Sequence, residues 1–269
     1  MRMSRVTCFL FALVFALPTS AQDRDIQNRA AIVASKAYAW LWANQTERDY
    51  QVDVVWIYDF LMRKYRLPEP QVVTNFRNEV RNGRYNKYGF APLLHVLSPG
   101  AGVKPDPASQ HTSKIDQVTF GALWCDRQEP GDNFLKQMAD LASLGRYELT
   151  HVYLSLQILK EKNCPFRVKH ISGLAALETK LAEETRKVAD QSREISDLEV
   201  EAAAFYAFAN RGKVPSEAFL KRLIAAAEPA FADNTKPKLR GHAVVLLLWF
   251  LFEYLAPETP AVPLSGSVR

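Results

Sequence analysis

The sequence predicts an all-α protein, and three observations carry that expectation. Apolar residues recur with helical spacing in nearly every segment from Ile26 onward. Leu174 to Arg211 contains neither Gly nor Pro. No Asn-Gly or Asp-Gly turn lies between alternating apolar runs, so there is no hairpin signal. About ten helices with short connections are expected, paired as antiparallel hairpins.

The first residues read as an address. Arg2 and Arg5 precede an unbroken apolar run, Val6 to Leu17, followed by Pro18 and the small residues Thr19-Ser20-Ala21. That is the layout of a cleaved secretory signal, and the apolar run is short of the roughly 20 residues a spanning helix needs. Residues 1–21 are therefore set aside as a signal peptide, and a periplasmic or secreted location is expected. Residues 22–257 are expected to form one all-α domain and residues 258–269 a disordered Pro-rich tail. The formal charge of +5 includes the two arginines of the signal, and the remaining basic residues are interspersed with acids. No nucleic-acid-binding stripe results.

Three cysteines are present, and Cys8 leaves with the signal. In an oxidising compartment the remaining pair, Cys125 and Cys164, is most simply a disulfide. Neither has a second Cys or His at ligand spacing, so no zinc site is expected. No cofactor or metal is expected either.

The elements follow in order. Ile26 to Asn44 is rich in helix formers and places Ile32, Tyr38 and Trp42 on one face. Tyr50 to Tyr65 repeats the pattern with Val54, Ile57 and Leu61, after a polar turn at Thr46 to Asp49. A third helix starts with Pro70 in its first turn and ends at Asn82-Gly83 in the manner of a left-handed cap. Tyr85 to Ser113 holds four prolines and three glycines. Phe90 to Leu97 there suits a short helix, and Ser98 to Ser113 an exposed loop. Ser113 to Asp116 resembles a capping box and opens the next helix, which reaches Cys125. Asp132 suits the cap of a helix ending at Gly145, and Arg146 to Asn163 forms another.

Leu174, Leu181, Val188, Ile195 and Ala202 recur every seven residues, joined by Leu177, Leu198 and Phe205. A coiled coil with a partner is one reading. Glu184 and Gln191 break the second seam, which favours two consecutive helices within the domain, the second capped by Ser196-x-x-Glu199. Val214 to Phe231 and Arg240 to Ala256 are the last helices. Ala243 to Phe252 is apolar without interruption and reads as a fully buried helix, with a membrane-resting helix as the alternative.

Thr150-His151 with the apolar residues after it can be laid on Gly241-His242 and its apolar run, 91 positions later. That spacing suits repeated αα units. Glu201-Ala-Ala-Ala-Phe205, Glu217 to Ala227, and Gly241-His242 with its apolar helix together resemble the α/α-toroid repeats of terpene cyclases and prenyltransferase-type proteins. The resemblance implies inner apolar helices curving into a partial toroid around a cavity. The Gln-x-x-x-Gly-x-Trp element of those repeats is missing; Glu228 to Asn234 stands in its place. No functional residue is carried over.

Three residues are candidates for chemistry. Glu148 and His151 are three apart, so a helix presents them on one face, where they could grip one ion. The competing reading is a carboxylate favoured by the macrodipole beside a core histidine. His242 joins them through the matched helices, with both imidazoles expected to face one interior space. Gly-x-Ser-x-Gly, His-Glu-x-x-His, a phosphate loop and Cys-x-x-Cys are all absent. Trp40, Trp42, Trp56 and Tyr58, with Tyr85 and Tyr88, could line a cleft for a sugar or lipid, but more simply belong to the core. Two functions remain. One is an exported binding or interaction module for an unknown ligand or protein, with membrane association not expected. The other is a hydrolase or lyase in a helical cavity, with His151 as base and a carboxylate as acid.

Signal removal is directly checkable. Mass spectrometry of the protein from its native host should give a mature chain that begins at Gln22. A soluble protein that retains Met1 would refute export by cleavage.

Overall fold

The computed structural model describes residues 21–45, 52–82, 113–126, 128–162, 164–191, 195–231 and 241–264. Residues 1–20 of the signal peptide, the turn at Thr46 to Asp49, Tyr85, Tyr88, the Phe90 to Leu97 helix and the loop up to Thr112 lie outside the described residues. Among those described the protein is all-α, with eleven helices and no strand. They are α1 (Ala21–Ala43), α2 (Val52–Tyr65), α3 (Gln71–Arg81), α4 (Lys114–Trp124), α5 (Phe134–Ala142) and α6 (Arg146–Glu161). After these come α7 (Pro165–Lys169), α8 (Ile171–Gln191), α9 (Asp197–Ala209), α10 (Glu217–Ala230) and α11 (Gly241–Leu255). The chain forms two compact units. One takes the described residues up to Val54 and Lys187–Pro260, the other Val55–Arg186 and the residues from Ala261 onward.

In the first unit α11 is the centre. Every residue from Ala243 to Phe252 is buried, so the helix is enclosed on all faces, as an unbroken apolar run requires. Helices α1 and α9 pack against it. The covering face of α1 is Ala30, Val33, Ala34, Ala37 and Leu41, all fully buried. Of the expected face Tyr38 is buried with them, whereas Ile32 is 52% exposed. On α9, Ala202, Ala203, Ala204 and Ala207 are likewise fully buried. Small residues on both neighbours let the bulky side chains of α11 approach closely. Trp249 meets Phe205 and Phe208 edge-on at 5.4 and 5.5 Å, and Phe250 meets Phe219 of α10 at 5.7 Å. Since the heads of α9 and α11 also meet, the two helices run in the same direction and α10 is the return stroke.

The connections obey local chemistry. Leu174 to Arg211 divides into α8 and α9. The buried seam of α8 is Leu174, Leu177, Leu181, Thr185 and Ala189, which bypasses Glu184. Ser196 caps α9, with its N–H donating to Glu199 at 2.9 Å. Helix α9 ends through Gly212, at φ +78°, whose N–H donates to the Ala207 carbonyl at 2.8 Å. Glycine is required there twice over, since a Cβ would also strike the Glu253 carbonyl. Ser216 caps α10 by accepting from the Phe219 N–H at 3.0 Å.

In the second unit α4, α5 and α6 pack together. Ser113 and Asp116 form the capping box of α4. Gly121 of α4 takes the ring of Phe134, which a Cβ would meet at 2.6 Å. Cys125 and Cys164 form the disulfide, their Cα atoms 5.6 Å apart, and so tie the end of α4 to the entry of α7. That five-residue helix was not expected from the sequence. Asp59 is buried in α2 between Arg63 and Arg77, and both of its oxygens accept charge-assisted hydrogen bonds. Trp56 and Tyr58 are buried beside it in α2.

Three local expectations change. Pro70 is the residue before α3, not its first. Gly83, on which the expected left-handed cap rests, lies outside the described residues. Asp132 does not cap α5; Asn133 holds that position, and Asp132 pairs with Lys169 at 2.5 Å. The tail expected to be disordered is placed as far as Leu264, which is fully buried. Arg63 binds the carbonyls of Pro263 and Leu264, and the Leu264 N–H donates to Glu161 at 2.7 Å. These bonds and one apolar side chain hold a segment that its proline content alone would leave loose.

Leu247→Ala should destabilise the protein by about 2–5 kcal/mol, the usual range for a truncation that leaves a cavity. Urea unfolding measures it. A loss well under about 1 kcal/mol would show that α11 is not enclosed.

Candidate functional site

Asp197 is the first residue of α9 and Asp53 the second residue of α2, positions that carboxylates favour because the helix dipole is positive there. Glu201 follows Asp197 by four residues and shares its face. That face belongs to a helix made mostly of Ala, Val, Phe and Leu, so Glu201 is carried inside and is 1% exposed. His242 is the second residue of α11, where the chain enters its apolar run.

The four side chains converge. His242 Nδ1 lies 3.0 and 3.1 Å from the two carboxylate oxygens of Asp197. Its Nε2 lies 3.5 Å from an oxygen of Asp53. One ligating atom from each of Asp197, Glu201 and His242 falls within 4.8 Å of the other two. Burial, the strongest influence, pushes the imidazole toward its neutral form. The hydrogen bond to Asp197 and the charges of Asp197, Asp53 and Glu201 oppose it and win, raising the pKa to about 9. The site is thus an acid-rich cluster around one cationic ring. It can hold positive charge, and when the ring is neutral it offers nitrogen and oxygen donors together.

The three residues singled out from the sequence have different surroundings. His242 belongs to this cluster in the first unit. His151 and Glu148 are on α6 in the second. His151 is in the second turn of α6, not at its start, and its Nδ1 is 2.9 Å from the Tyr147 carbonyl one turn back. Its ring also meets that of Tyr147 edge-on at 6.4 Å. Asp126 pairs with Lys162 at 3.6 Å. The sequence reading missed Asp53, Asp197 and Glu201. Two acids one turn apart at the head of an apolar helix were the available signal.

No known protein family, no curated protein and no solved structure matches the chain.

The raised pKa has a signed consequence. The contribution of charged His242 to stability is fully present below its unfolded pKa of about 6.5 and is lost as pH rises through about 9. In protein treated with chelator, NMR titration of the His242 ring should give a pKa near 9. Asp197→Asn should lower it. A value at or below 6.5 in the parent protein would contradict the geometry.

Proposed function

We propose that the chain is an exported helical binding module whose binding point is the cluster of Asp197, Glu201, His242 and Asp53, and whose ligand is a cation. One observation carries the reading. A carboxylate as deeply buried as Glu201 meets, within 4.8 Å, the ligating atoms of a second carboxylate and an imidazole. Burying an ionised carboxylate costs several kcal/mol unless opposite charge is near. Three carboxylates stand around the one imidazole, so the cluster offers several oxygen donors to positive charge. The scaffold suits binding, since α9 and α11 are locked by the Trp249 aromatic contacts and the donors stand on rigid helix heads.

The test is an NMR titration of the His242 ring, identified by its loss in His242→Gln, against Mg2+, Ca2+, Co2+ and spermidine. At least one cation should shift the resonance, and Glu201→Gln should weaken that response about tenfold or more. If none of the four shifts it, the cluster is a structural pin and the reading fails.

A further inference from the structure

We propose that Asp197, Glu201 and His242 form a site for a first-row transition-metal dication, bound through His242 Nδ1 and one oxygen from each carboxylate. The inference rests on the cation-binding reading and names its ligand class.

The donor set argues for the class. Calcium and magnesium prefer shells made of oxygen, whereas imidazole with carboxylate suits manganese, iron, cobalt and zinc. The reach is right. A dication with bonds of about 2.0–2.2 Å needs donors roughly 3–4.4 Å apart. The three donor atoms already lie within 4.8 Å of one another, so small side-chain rotations close the set.

The orientation of the ring is a second, independent observation. Its Nδ1 faces Asp197, while its Nε2 faces Asp53 at 3.5 Å. A metal-bound imidazole characteristically donates its other N–H to a carboxylate, which fixes the tautomer and makes the ring a better donor. Asp53 stands where that carboxylate belongs. It comes from a different helix than Asp197 and Glu201, so its position does not follow from theirs. Three protein donors on one side of the ion leave its remaining positions to water or to a ligand.

The ion would stand against Glu201, the most buried of the three acids.

The test uses the full mature protein, stripped with chelator and titrated with Co2+ near neutral pH. The disulfide removes both remaining thiols as competing ligands. One equivalent of Co2+ should bind and develop visible absorption bands. His242→Gln and Glu201→Gln should each lose well over tenfold in affinity, and Asp53→Asn should lose about tenfold while keeping the bands. Circular dichroism checks that each variant is folded. Where Glu201→Gln does not fold, Asp197→Asn replaces it with the same expected loss. Absence of the bands, or bands unchanged in His242→Gln, overturns the assignment. If Ca2+ or spermidine shifts the His242 resonance while Co2+ gives no bands, the metal assignment fails and the cation-binding reading stands. If no cation acts, both fail.

Discussion

The first unit depends on one constraint. A helix that is apolar on every face must be surrounded on every face, and α11 is such a helix from Ala243 to Phe252. Its side chains are large, so its neighbours must present small ones if the backbones are to close without voids. The alanines of α1 and α9 meet that demand. Helices α9 and α11 run in one direction, so the chain must travel back between the end of the first and the start of the second, and α10 makes that return. Gly212 and the cap at Ser216 are the local devices that make the return possible.

Enclosure of that kind raises the cost of every polar group taken inside, and two buried carboxylates are visibly partnered. Glu253 accepts the Trp249 indole N–H at 3.1 Å within α11 itself. Asp59, in the second unit, is held by two guanidinium groups. Glu201 lies with Asp197 and Asp53 around one imidazole, so three carboxylates share a single ring.

The parts of this structure that the sequence disclosed are those governed by neighbours in the chain. The apolar run of α11, the capping boxes at Ser113 and Ser196, and the break between α8 and α9 are local and were legible. The Cys125–Cys164 pair was legible by elimination. The face of α1 was legible only in part, because alanine carries too little contrast for periodicity to locate a stripe, and Ile32 drew the eye to the solvent side. Asp132 looked like a cap because the sequence cannot show Lys169 beside it. His242 stood out, but its partners did not. Asp53 and Asp197 reach it only through the packing of α11, and the acids at the start of α9 already had a local explanation in the capping box with Glu199. The likeness of the segments at His151 and His242 has a related weakness. It matched apolar content and ignored helix phase, pairing a second-turn residue with a first-turn one.

The arrangement around His242 bears on how a site can be ready before its ligand arrives. In the protonated cluster Nδ1 is hydrogen-bonded to Asp197, and Nε2 lies 3.5 Å from Asp53. In the proposed loaded state the ion takes the place of the Nδ1 proton and the Nε2 proton stays where it was. The ring need not turn, Asp53 keeps its contact, and only Asp197 and Glu201 adjust by side-chain rotation. The helix dipoles at the heads of α9 and α2 act against any cation, whether proton or metal ion, and favour the carboxylates in both states. Acting on two charges instead of one, they oppose the ion more than the proton, and the donor bonds must outweigh that difference. Affinity then turns on donor geometry, and that geometry is set by α9 and α11, whose relative placement the Trp249 contacts hold independently of what the site contains.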